Sequence, residues 1–174
     1  MSLGARIKKL AKGLSAKAAA DAFVRVHENP MSLAPELRDK AHEFEATVEA
    51  MFLMAAVDGD VSDEELAQLT ASVDAFASID EEPPKRVVIG KLLAELNEKL
   101  AAEGWNKRLA AVASRLQGRE SRAFAFRLAA AVAFVDDHVA HAEAAALEAL
   151  ASALSISAEE SQEILYDVRE TLFD

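Results

Sequence analysis

Apolar side chains recur at helical spacing along almost the whole chain, and β-branched alternation is nowhere sustained. Phe44, Val48, Met51, Phe52 and Ala55 follow an i, i+4, i+7, i+8, i+11 pattern, the stripe that one face of an α-helix presents and a strand does not. Ala, Leu and Glu, the strong helix formers, dominate the segments between stops. Glu36 to about Val57 therefore reads as a long amphipathic helix, with Pro35 in its first turn and Asp58-Gly59 as its stop. Ser62 with Glu65 three residues on is a capping-box signature, opening a helix through Leu66, Leu69 and Val73 to Phe76. Further helices are predicted from Pro83-Pro84 to Gly104 and from Asn106 to Leu116. Three more run through Phe124, Leu128, Ala131, Val132 and Val135, from Ala142 to Leu154, and from the second capping box at Ser157 and Glu160 to Leu172. With the N-terminal segment the count is about eight helices and no sheet, an all-α, single-domain bundle.

The chain has 174 residues, 52% of them hydrophobic, with only 4 Pro and 6 Gly, so it has the apolar surface to offset chain entropy and fold compactly. Its formal charge is −11, distributed as +5 over residues 1–20, −13 over 21–82, +6 over 83–134 and −9 over 135–174. An acidic total argues against a nucleic-acid partner, because neutralising phosphates needs a positive field. The basic block in the middle of the chain leaves room for a local acidic protein partner. The absence of cysteine removes disulfide scaffolds, thiolate metal sites and a cysteine nucleophile. The longest uncharged apolar runs, Met51 to Val57 and Leu128 to Val135, are far shorter than the ~20 residues of a membrane span, so a cytoplasmic location is expected.

Residues 1–30 read as a basic amphipathic helical segment and 31–174 as the helical domain proper. Within the segment, Leu3, Ile7, Leu10 and Leu14 form a narrow apolar stripe, with Lys8, Lys9 and Lys12 opposite. Such a helix docks on an anionic membrane surface or an acidic partner, or it seals the domain's own core.

A weak duplication links two parts of the domain. Ala55-Ala56-Val57-Asp58-Gly59-Asp60-Val61 aligns with Ala133-Phe134-Val135-Asp136-Asp137-His138-Val139, an offset of 78 positions, and Leu69 falls on Leu147. Two copies are too few for a solenoid and read as two helical hairpins related by a pseudo-two-fold. The first turn, Asp58 to Glu65, looks like the second half of a calcium loop. The positions that should supply the first carboxylates fall on Met54 and Ala56, however, so an EF-hand is rejected.

The helix ending in Ala-Val-Asp58-Gly59-x-Val61 with Glu65 and Leu66, the degenerate copy from Asp136 to Glu143, and the tail Leu154-Ser-Ile-Ser-Ala-Glu-Glu-Ser-Gln-Glu-Ile164-Leu165 together resemble the TerB-like family of tellurite-resistance and stress-response proteins. The resemblance covers roughly residues 36–172. It implies an all-helical domain with a pseudo-repeat, and a divalent metal ion held by Asp58 and Glu65 of the first turn and Asp136 and Glu143 of the second. Asp137 departs from the pattern, standing where the first turn has Gly59.

Physical chemistry gives a separate argument. Carboxylates gathered by pseudo-symmetry repel, and a cation relieves the repulsion. His138 and His141 align with Asp60 and Asp63, and a mixed carboxylate and imidazole set suits Mn, Fe, Ni or Zn better than calcium. The same residues have a simpler use: Ser62 and Glu65 cap a helix, and acids beside helix N-termini are favoured by the dipole.

No Glu-x-x-His, His-Glu-x-x-His, Gly-x-Ser-x-Gly or Gly-rich phosphate loop occurs. His27 and His42 read as surface histidines, and Trp105 as an anchor between helices. The expected function is that of a non-catalytic interaction or sensing module with no organic cofactor.

Overall fold

The computed structural model describes residues 5, 9–10, 22–23, 35–57, 61–77, 83–135, 138–139 and 141–173. The architecture is all-helical, with seven helices among the described residues: α1 (Pro35–Ala55), α2 (Asp63–Ala77), α3 (Pro83–Glu103), α4 (Trp105–Arg115), α5 (Arg119–Ala133), α6 (His141–Ala153) and α7 (Ala158–Phe173). The eighth helix of the sequence count is the N-terminal segment, residues 1–30, most of which lie outside the described residues; Ala5, Lys9, Leu10, Ala22 and Phe23 there are helical. Between α5 and α6 the chain makes a two-residue antiparallel pair, β1 (Phe134–Val135) with β2 (His138–Val139), in which Phe134 faces Val139 and Val135 faces His138.

The helix breaks lie where turn chemistry puts them. Gly104 adopts φ 88°, a conformation that costs a residue with a Cβ, and separates α3 from α4. At the end of α6 the Ser155 amide donates to Ser152 O and the Ile156 amide to Ala151 O, a Schellman closure with Ser155 at φ 58° in the left-handed position glycine usually fills. Ser157 then caps α7, its Oγ accepting from the Glu160 amide at 3.1 Å.

α1 is the axis of the bundle. No residue from Ala46 to Met54 is more than 5% exposed, so the helix is enclosed on every side rather than amphipathic over this stretch, because α3, α4, α5 and α6 all pack on it. Phe52, Met51 and Leu53 are among its fully buried side chains, each stabilising the fold by about 1.5–3 kcal/mol. Its most extensive neighbour is α5, whose Ala125, Ala129, Ala130 and Ala131 are wholly buried and let the backbones approach closely.

Side-chain pairs set helix directions. Trp105 reaches Leu53 while Arg115 reaches Glu45, so α4 runs antiparallel to α1. Arg119 pairs with Glu160 and Arg127 with Asp167, and the Phe134 and Phe173 rings lie 6.0 Å apart, so α7 runs parallel to α5. Arg122 joins three ends: Nε donates to Leu116 O at 2.6 Å, Nη1 to Leu154 O at 3.0 Å and Nη2 to Ala113 O at 3.3 Å. Its cation thereby satisfies carbonyls at the C-termini of α4 and α6, where the helix dipoles are negative.

Candidate functional site

Among the described residues of the two acidic turns, Asp63 and Glu65 hold the same places at the start of one helix as His141 and Glu143 at the start of another. Asp58, Asp60 and Asp136 lie outside the described residues. Asp63 is the first residue of α2 and is exposed, and Glu65 is the third residue of that helix. His138 opens β2, His141 is the exposed first residue of α6, and Glu143 is half-buried two positions on. The Leu66 amide donates to Ser62 O at 2.9 Å, so Ser62 occupies the N-cap position that the sequence signature assigns to it. Among the described residues no three His, Asp or Glu side chains converge as a metal would require.

Of the N-terminal stripe, Leu10 is buried at 9% exposure and belongs to the core cluster, while Lys9 is exposed. At this one position the stripe faces inward, as a core-sealing helix requires. Leu3, Ile7, Lys8, Lys12 and Leu14 lie outside the described residues. No helix among the described residues is long and apolar enough to cross a membrane.

The strongest electrostatic feature among the described residues is one that the periodicity does not reveal. Glu49, midway along α1, is 1% exposed and accepts from two guanidinium groups of α4. Arg108 grips it with both faces of the fork, Nε to Oε2 and Nη2 to Oε1, each at 2.7 Å. Arg115 adds its Nη2 to Oε1, and its Nη1 lies 3.3 Å from Glu45. Arg108 Nη1 is also 3.3 Å from Glu103 of α3. Three helices are therefore tied together, α1 to α4 through the Glu49 carboxylate and α3 to α4 through Arg108. Donating to the Glu49 carboxylate holds the Arg108 guanidinium pKa above its ordinary value, against the opposing effect of burial, and the neighbouring charge of Glu103 acts in the same direction as Glu49.

Trp105 lies one turn before Arg108 and donates its indole N–H to Leu53 O at 2.9 Å. Leu53 is in the last turn of α1, so the indole satisfies a carbonyl near the helix end that leads into the Asp58 turn. The anchoring role expected of Trp105 thus has a specific form, packing against the core and closing the C-terminus of α1.

Among the described residues, several line open depressions of the surface. A cleft of about 250 Å³ between α1 and α4 is lined by Asp39, His42, Glu43, Ser114, Arg115 and Gln117. His42 is exposed there, as a surface histidine should be. A second, of about 460 Å³, lies around Arg119, Arg122, Ser155 and Ser157. A third, of about 780 Å³, runs between α5 and α7.

No family model, curated protein or solved structure matches the chain.

Proposed function

We propose that the chain is a non-catalytic, TerB-like interaction or sensing module of the stress-response type. In this reading a divalent cation held by Asp58, Glu65, Asp136 and Glu143 fixes the relative pose of two helical hairpins. One observation carries the proposal: the helix boundaries repeat at the offset of the duplicated turns. α1 ends at Ala55 and α5 at Ala133, while α2 starts at Asp63 and α6 at His141; 133 − 55 and 141 − 63 both equal 78, the spacing of Asp58 and Asp136. The two helices that precede the turns are also the two that pack on each other most extensively. This arrangement supports a pseudo-two-fold relation between the hairpins. It also gives the acidic turns a structural reason to act as a pair.

The test is thermal. Chelator-treated protein titrated with Mn, Zn, Ni and Ca should show a rise in melting temperature with at least one of them, by linkage to the folded form, amounting to about 2.7 kcal/mol at a hundredfold excess over Kd. Asp58→Ala with Glu65→Ala should abolish that rise. If no metal moves the transition and the double variant behaves as the parent does, the cation reading is wrong.

A further inference from the structure

We infer that the groove between α5 and α7 is a docking surface for a basic segment of a partner protein, with Tyr166 and Glu163 receiving an Arg or Lys side chain. Tyr166 is 65% exposed, one of two large hydrophobic residues so placed among the described residues, and it makes no hydrogen bond there. Ala123 and Ile164 give the groove an apolar part, and Arg127 of α5 and Asp167 of α7, paired at 2.7 Å, bridge its two sides. Glu163 sits one helical turn before Tyr166 on the same wall and has no ion-pair partner among the described residues. A guanidinium laid on the Tyr166 ring would meet the Glu163 carboxylate at its edge, combining a cation–π contact with a charge-assisted hydrogen bond.

Charge complementarity identifies the occupant. α7 carries Glu159, Glu160, Glu163, Asp167 and Glu170 against Arg169 alone. The basic residues of the facing helix are already engaged: Arg127 pairs with Asp167, Arg119 lies 3.5 Å from Glu160, and Arg122 is bound to carbonyls. The charge left over is negative, which repels phosphates and anionic lipid and attracts a cationic peptide. Exposed Tyr in a partly apolar groove is the residue type on which binding energy concentrates.

The choice of a protein partner rests on the reading of the chain as an interaction module, whereas the groove is separate from the acidic turns. Tyr166 is the only tyrosine, so 3-fluorotyrosine labelling gives a single site-specific ¹⁹F signal. The full chain is titrated with an amphipathic Arg/Leu peptide, and with a Glu/Leu counterpart, while ¹⁹F shift and peptide anisotropy are followed. The Arg/Leu peptide should bind and move the Tyr166 signal. Tyr166→Ala and Glu163→Lys should each weaken binding about tenfold. Glu95→Lys and Glu98→Lys, exposed on α3, should leave it unchanged. Absence of binding, binding without a Tyr166 shift, equal binding of the Glu/Leu peptide, or equal loss in the α3 variants overturns the inference. A cation-dependent melting shift that persists in Glu163→Lys shows that such a failure belongs to the groove and not to the module.

Discussion

Replacing Glu49 by Gln keeps the shape of the side chain and removes the charge on which α4 is hung. Arg108, whose side chain is 9% exposed, would then keep only Glu103 at 3.3 Å, a partner itself 30% exposed. An uncompensated buried charge of this kind costs about 3–5 kcal/mol. Arg115 adds little, because at 21% exposure it turns to Glu45 and water, and such exposed pairs are worth about 0–1 kcal/mol. For a chain of this length each kcal/mol moves the midpoint by about 2–4 °C, so Glu49→Gln should melt roughly 6–20 °C below the parent. Arg108→Met alone should cost less, about 2–3 kcal/mol, since Glu49 retains Arg115. The double change Glu49→Gln with Arg108→Met removes both charges together and should be more stable than Glu49→Gln, with a coupling energy of about 2 kcal/mol or more. Urea unfolding followed by far-ultraviolet circular dichroism measures all four proteins. A loss below ~1 kcal/mol for Glu49→Gln, or single effects that simply add in the double variant, would refute the network's role.

Ser155→Gly should raise stability by about 0.5–1 kcal/mol in the same urea assay, because a serine now holds φ 58° at the end of α6. Arg122→Met should lower it by about 2 kcal/mol and increase hydrogen exchange at the ends of α4 and α6, since three carbonyls lose their donor. Because its hydrogen bonds to Glu49 raise the Arg108 pKa on folding, its contribution is complete below the unfolded value and lost only as pH climbs past the folded one. A pH titration of stability in the parent and in Arg108→Met should therefore show a constant difference from neutrality to about pH 10.

Helices were legible because their signals are local. The stops at Gly104 and Gly118, the prolines opening α3 and the Ser157 cap each act within a few residues, and the observed boundaries fall within a few residues of those expected. The enclosure of α1 was less visible, since one apolar stripe looks the same whether the opposite face meets water or another helix. A signal was present in Thr47-Val-Glu-Ala-Met-Phe-Leu-Met-Ala55, where Glu49 is the only charge. A helix apolar all round is buried, and the lone charge in such a run needs a partner. Nothing local names that partner, which lies 59 positions away in a segment, Asn106-Lys-Arg-Leu, that reads as solvated. The short β pairing was missed for another reason: two residues on each side of a turn are too few for alternation to register.

The face that α5 presents to α1 is built largely of alanine and is smooth. Methyl groups offer many nearly equivalent settings, and one helix can be displaced along another by a turn, ~5.4 Å, with small loss of contact. The bidentate grip of Arg108 on Glu49 has no such tolerance, because both of its 2.7 Å bonds vanish with any displacement of that size. One carboxylate therefore gives α1, smooth where it meets α5, an index mark where it meets α4. It fixes where α4 stops along α1, and through Trp105 and Leu53 it fixes how the chain enters its first acidic turn.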